Sequence, residues 1–149
     1  MTKRYVKGFK EAEQVLNQLP GRMEARVLQA ATMSGAREIR KEVKKAAPRG
    51  DKTKQSPSSK KYKRLYQNIK AIQLKSLKRK KGIRGSRVTT GNAFWGVFLE
   101  FGTKHIAAKP WFRPAVTKAR DAATEALKKA LGRGIEREAS KLARKNGVK

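Results

Sequence analysis

Side chains that usually carry catalysis are thinly spread in this sequence. It has one histidine, His105, and no cysteine, so neither a Cys–His nucleophile pair nor a thiolate metal site can form. No serine or cysteine elbow accompanies His105, which reads as a loop residue. The 11 acids are scattered and none lies between Lys52 and Leu99, which leaves no carboxylate cluster or ligand spacing for a metal. Lys81-Gly-Ile-Arg-Gly85 lacks the Gly-Lys-Ser/Thr ending of a phosphate-cradling loop. The expectation is a non-enzyme without cofactor or metal.

Positive charge is the strongest chemical feature. The chain has 39 Lys and Arg and a formal net charge of +28, enough for an isolated compact monomer to strain against its own repulsion. Fourteen of these cations, and no acid, fall between Lys52 and Leu99. Lys78, Arg79, Lys80, Lys81, Arg84 and Arg87 crowd one candidate hairpin, and Lys52, Lys54, Lys60 and Lys61 lie in the stretch before it. Two partners fit such a surface: the phosphates of double-stranded DNA, contacted without sequence preference, or an acidic protein face. Tyr62 and Tyr66 alone are too few for a base-stacking platform.

The elements that position these residues follow from apolar spacing. At 149 residues, 38% of them hydrophobic, the chain has room for one domain with a modest core. No secretory signal or membrane-length apolar run is visible, so a soluble, cytoplasmically made protein with no membrane partner is expected. The spacing predicts a short helix over residues 9–19, ended by Leu19-Pro20-Gly21, and a longer one over 22–46. In the latter, Leu28, Ala31, Gly35, Ile39, Val43 and Ala46 share a face. Residues 48–61 contain no large apolar side chain and read as a mobile basic loop. One helical turn at 65–69 precedes an alternating strand around Ile72 and Leu74, a charged hairpin tip at 78–86 and a returning strand at 87–90. A last helix is predicted over 114–131, with Val116, Ala119, Ala123, Leu127 and Ala130 inward. Gly132 and Gly134 break or bend it before a second segment at 135–144, and the tail 145–149 frays. The class is α+β: two N-terminal helices, a small antiparallel hairpin, and a C-terminal helix packed on it.

Between them lies an aromatic stretch, residues 93–115, with both tryptophans, four of the five phenylalanines and the only histidine. Large aromatic groups supply much of the burial in a small core, so the fold is expected to be anchored here. Residues 94–101 read either as a doubly buried strand or as a short helix that packs Phe94, Val97, Phe98 and Phe101 together and stops at Gly102. The helix is the preferred reading. Glu100, the one acid inside this stretch, needs a partner to offset desolvation. Arg113 or a backbone amide near Thr103 is the candidate in a structural role, and an intersubunit ion pair is the alternative.

Leu99-Glu-Phe-Gly-Thr103 followed by Ala108-Lys-Pro-Trp-Phe-Arg-Pro-Ala115 resembles the neck and tail-completion proteins of long-tailed bacteriophages. The matching residues are Glu100, Phe101, Gly102 and Thr103 in the first half, then Ala108, Pro110, Phe112, Pro114 and Ala115, with Trp111 beside Phe112. The close match covers about twenty residues, and the order of elements follows the family over most of the chain. The resemblance implies a structural virion protein with no catalytic residues, assembled in the host cytoplasm into a ring, six-fold, at the head–tail junction. Its implied partners are further copies of itself, the head connector or stopper, the tail terminator or tube proteins, and double-stranded DNA in the channel. A tail terminator of the same virion and a free-standing nucleic-acid-binding protein are the alternatives.

Overall fold

The structure, a computed structural model, describes residue 17 and residues 21–49, 64–74 and 83–145. Its elements are α1 (Gly21–Ala46), the single turn α2 (Leu65–Asn68), β1 (Lys70–Gln73), β2 (Ser86–Thr89), α3 (Trp95–Phe101) and α4 (Phe112–Lys145). Helices joined to a two-stranded antiparallel sheet make this the expected α+β class. The helix expected over 9–19 lies outside the described residues except for residue 17, which is helical, and so do residues 50–61 of the basic loop.

Two long helices carry the architecture. On α1 the buried row is Val27, Ala31, Gly35 and Val43, continued by Ala47 beyond its end, and on α4 it is Ala115, Ala119, Ala123 and Leu131. With half-buried Ile39 and Leu127 completing them, the two rows repeat every fourth residue, so the helices meet along an apolar seam rich in small residues, beyond which the buried Glu138 follows on α4. Gly35 lies against Ala123, where an added Cβ would stand 3.1 Å from the Ala123 carbonyl oxygen, and Gly134 lies against Val27. These two pairings run in opposite senses along the chain, so the helices are antiparallel. Val27, absent from the face expected from sequence, is fully buried, whereas Ala46 is exposed and Ala47 takes the inward place.

The C-terminal helix departs from expectation at both ends. It begins at Phe112, two residues before Pro114, and continues unbroken past Gly132 and Gly134 for 34 residues. A mid-helix glycine costs about 1 kcal/mol relative to alanine, and packing outweighs that cost here. Gly134 is needed for the close approach, since a Cβ would lie 2.9 Å from Val27 Cγ1, while Gly132 faces open space.

At the other end of the helix pair sits the sheet. Lys70 pairs with Thr89, Ala71 with Val88, Ile72 with Arg87 and Gln73 with Ser86. The hairpin is pinned to α1 by Arg40, whose Nε donates to the Ile69 carbonyl at 3.1 Å, and by Ser86, whose hydroxyl donates to Thr32 Oγ1 at 3.2 Å. Val43, Ala47, Leu65, Ile69, Ala93, Trp111 and Ala115 form the core at this end, and Val27, Ala31 and Leu131 form a second one along the helix pair. The aromatic stretch is therefore only partly core. Trp111 is buried, but Phe94, Val97, Phe98 and Phe101 are exposed rather than packed inward.

Candidate functional site

Trp95–Phe101 form a helix, not a strand, with Phe94 at its N-cap, and glycines set how it is seated. Gly91, at φ 58°, turns the chain out of β2. Gly96 lets α3 lie flush on α2, since a Cβ there would stand 2.8 Å from Leu65 Cδ1. Gly102 ends the helix at φ 77°, its N–H donating to the Phe98 carbonyl at 2.8 Å. A side chain at Gly102 is excluded twice: by the left-handed backbone, and by Ala108 N and Ile106 O, each 2.9 Å from the would-be Cβ.

After Gly102 the chain closes a tight turn. Thr103 N–H donates to the Ile106 carbonyl at 2.8 Å, and the Thr103 hydroxyl accepts from the N–H groups of His105 and Ile106 at 3.2 and 3.1 Å. His105 is exposed in this turn. Lys109 N–H then donates to the Leu99 carbonyl at 2.9 Å, which brings the second half of the motif back beside the first.

The junction between the halves is Glu100. Its Oε2 accepts the N–H groups of Trp111 and Phe112, both at 2.7 Å, and its Oε1 accepts that of Arg113 at 3.1 Å. These are the first donors of α4, which no intrahelical carbonyl can reach. The next residue, Pro114, has no N–H, so the carboxylate and the proline together dispose of the helix's unpaired donors. The structural role expected for Glu100 is thus played by amides of residues 111–113 rather than by one near Thr103, with Arg113 Nε also 3.5 Å away. Burial pushes the Glu100 carboxyl up, but the donors of Phe112, Trp111 and Arg113 and the Arg113 charge together outweigh it, and the group is held below the ordinary carboxylate value. The indole N–H of Trp111 donates to the Gly96 carbonyl at 3.3 Å, a second tie between α3 and α4.

The opposite side of α3 faces solvent. Phe94, Val97, Phe98 and Phe101, spaced three and four residues apart, form a ridge in which Phe94 and Phe98 meet edge-on at 5.8 Å between ring centres. The Arg113 guanidinium lies over the Phe101 ring at 4.4 Å. A groove of about 340 Å³ runs beside the ridge, walled by Val88 and Thr90 of the hairpin, Val97 and Phe101 of α3, and Phe112 of α4. Sequence reasoning placed these aromatics in the core. The contrary signal was the other face of the same helix, where a glycine, Gly96, and a carboxylate, Glu100, stand at the positions that touch the protein.

Of the basic residues singled out from sequence, Arg84 and Arg87 are described. Arg84 is half-exposed, with Nη1 donating to the Ile83 carbonyl at 2.6 Å, and Arg87 is exposed on β2. Lys52, Lys54, Lys60, Lys61, Lys78, Arg79, Lys80 and Lys81 lie outside the described residues. Among the described residues no group of three or more His, Asp or Glu comes together, and no helix is long and apolar enough to cross a membrane.

Residues 10–102 match the family described as "Bacteriophage HK97-gp10, putative tail-component". The chain belongs to this family of phage tail components. The family match ends on Gly102, so it takes in Glu100 and Phe101 but not the proline-bracketed half of the motif. The structure joins that half to the family region through the Glu100 carboxylate. No curated protein and no solved structure matches the chain.

Proposed function

We propose that this phage tail component is a neck or tail-completion subunit: a structural protein that assembles as a ring of identical copies at the head–tail junction and flanks the DNA channel. The observation that carries the reading is the family match over residues 10–102. It is supported by a helix pair brought close through small residues, and by an aromatic ridge left on the surface of a chain whose charge calls for anionic neighbours. The basic groups named from sequence, Lys78 to Lys81 with Arg84 and Arg87 and the lysines of the 48–61 segment, are assigned to the channel DNA or to an adjacent ring. No reaction is assigned to any residue.

Deleting the gene from the phage tests this directly. Filled heads and finished tails are expected to accumulate apart, and an antibody to the chain is expected to label the junction of wild-type particles. Label confined to the tail tube or tip, or joined particles formed without the protein, would overturn the assignment. Replacing Lys78, Arg79, Lys80 and Lys81 by glutamine is expected to give particles that fail to join or that lose DNA, and normal infectivity would remove these residues from the working surface.

The charge of +28 also favours a second reading, a monomeric DNA-binding protein. That reading requires tight binding to DNA of any sequence, falling steeply as salt rises, together with a monomeric mass and no association with particles.

A further inference from the structure

The ridge on α3 is an interaction surface whose chemistry selects its partner. Four large apolar side chains stand exposed on consecutive turns of a helix whose other face is fully used. A contiguous patch of this kind on a soluble protein marks a contact with something else. Phe94 and Phe98 stack edge-on as a projecting pair, and the groove beside Val97 and Phe101 is open to receive a side chain.

Charge narrows the occupant. From residue 52 to residue 120 the sequence contains a single acid, Glu100. That carboxylate is 5% exposed and committed to the start of α4. The turns that follow the ridge carry Lys104 and Lys109, both exposed, and Arg113 lies across Phe101. The apolar face is thus followed by cations, and the segment that carries them, residues 101–120, contains no acid. A second copy docked on this face would bring a chain with the same excess of cations against these flanks, so the contacts between copies in a ring are left to other faces.

We propose that the α3 ridge is the docking site for a different protein, one presenting an apolar strip bordered by carboxylates, whose side chain fills the groove between Val97, Phe101 and Phe112 while its acids meet Lys104, Lys109 and Arg113. The inference rests on the virion-assembly reading only for where such a partner is met, because the chemistry of the face stands on its own.

The test uses the full-length protein and a helix-forming probe peptide with leucine and phenylalanine along one face and glutamate on both flanks. Binding is followed by fluorescence anisotropy at physiological ionic strength. A second peptide with the same glutamates but serine on the apolar face controls for attraction to a basic protein in general. The amphipathic peptide is expected to bind more tightly than its control, and Phe94→Ser with Phe98→Ser to weaken it about tenfold or more while leaving the control unchanged. Both positions are solvent-exposed, and unchanged circular dichroism verifies the fold. A rim variant, Lys104→Glu with Lys109→Glu, is expected to lower affinity for the glutamate-flanked peptide and raise it for a lysine-flanked one.

Equal binding of both peptides, or indifference to the two serines, overturns the proposal. So does self-association of the wild type that the serine variants abolish, which would assign the face to a second copy. Loss of single-stranded DNA binding in the serine variants would assign the phenylalanines to nucleobases and overturn it as well. None of these readouts depends on where the protein sits in the particle, so a failure here is separable from misplacement of the neck assignment.

Discussion

Replacing Glu100 removes the acceptor for three backbone donors at once. Hydrogen bonds to a charged group contribute about 1.5–3 kcal/mol each when measured singly, but three on one carboxylate do not add. In Glu100→Ala the Trp111 N–H is left buried and unpaired, and the start of α4 loses both its cap and a favourable charge–dipole contact. The expected loss is about 2–4 kcal/mol, from one buried amide left unpaired at about 1–3 kcal/mol and a lost helix cap at about 0.5–2 kcal/mol. The exposed Arg113 ion pair adds little to it. Against a typical total of about 5–15 kcal/mol, this variant is marginal. Glu100→Gln is milder. Its amide oxygen can take the place of Oε2 and keep the bonds to Trp111 and Phe112, but its NH2 then faces the Arg113 N–H, donor against donor, at a cost of about 1–3 kcal/mol.

Urea unfolding followed by tryptophan fluorescence reads both variants, since Trp111 sits at the site. The pH dependence separates charge from shape. Glu100 has a folded-state pKa below its ordinary value, so its contribution is fully present above the unfolded value near ~4.3 and is lost as pH falls through the folded one. The gap between wild type and Glu100→Gln should therefore be constant from neutral pH down to about 5 and shrink below about 4. A Glu100→Ala loss under about 0.5 kcal/mol, the scatter expected of an inconsequential surface change, would refute the clamp. A gap that persists undiminished into strong acid would refute the role of the charge.

The two glycines inside α4 should respond in opposite directions. Gly134→Ala forces a methyl to within 2.9 Å of Val27 Cγ1 and should destabilise by about 1–3 kcal/mol, whereas Gly132→Ala meets nothing and should stabilise by about 0.5–1 kcal/mol, both read from urea midpoints. Gly102→Ala combines a φ of 77° with contacts of 2.9 Å to Ile106 O and Ala108 N and should lose about 2 kcal/mol or more, with faster amide exchange at Thr103 and Lys109.

The long helix α1, the single turn near residue 65 and the paired strands were legible, because each rests on local signals: apolar period, proline stops, and alternation around glycine. Residues 94–101 read also as a continuous apolar strand, and only their packing through Gly96 and Glu100 makes the helix plain. The unbroken course of α4 was not. Gly132-Arg-Gly134 reads as a helix breaker until Val27, more than a hundred residues earlier in sequence, is known to press against Gly134. Glu100 was recognisable as a carboxylate in need of a partner, and Arg113 was identified, but the dominant partners are backbone amides, which every sequence possesses and none advertises. The outward ridge escaped notice for a related reason. Hydrophobicity alone does not say whether the apolar side of a helix meets this chain or another one.

The crossing of α1 and α4 has a mechanical consequence. Where Gly35 meets Ala123, main chain lies against main chain, with no long side chain between them whose rotamer could yield. Alanine and glycine have no soft torsions with which to absorb a displacement. A displacement of one helix at this point is therefore met by the main chain of the other, and the first turn of α4 is in turn tied to α3 by Glu100 and Trp111. A small domain built this way has a tight seam where it has the least side chain to give.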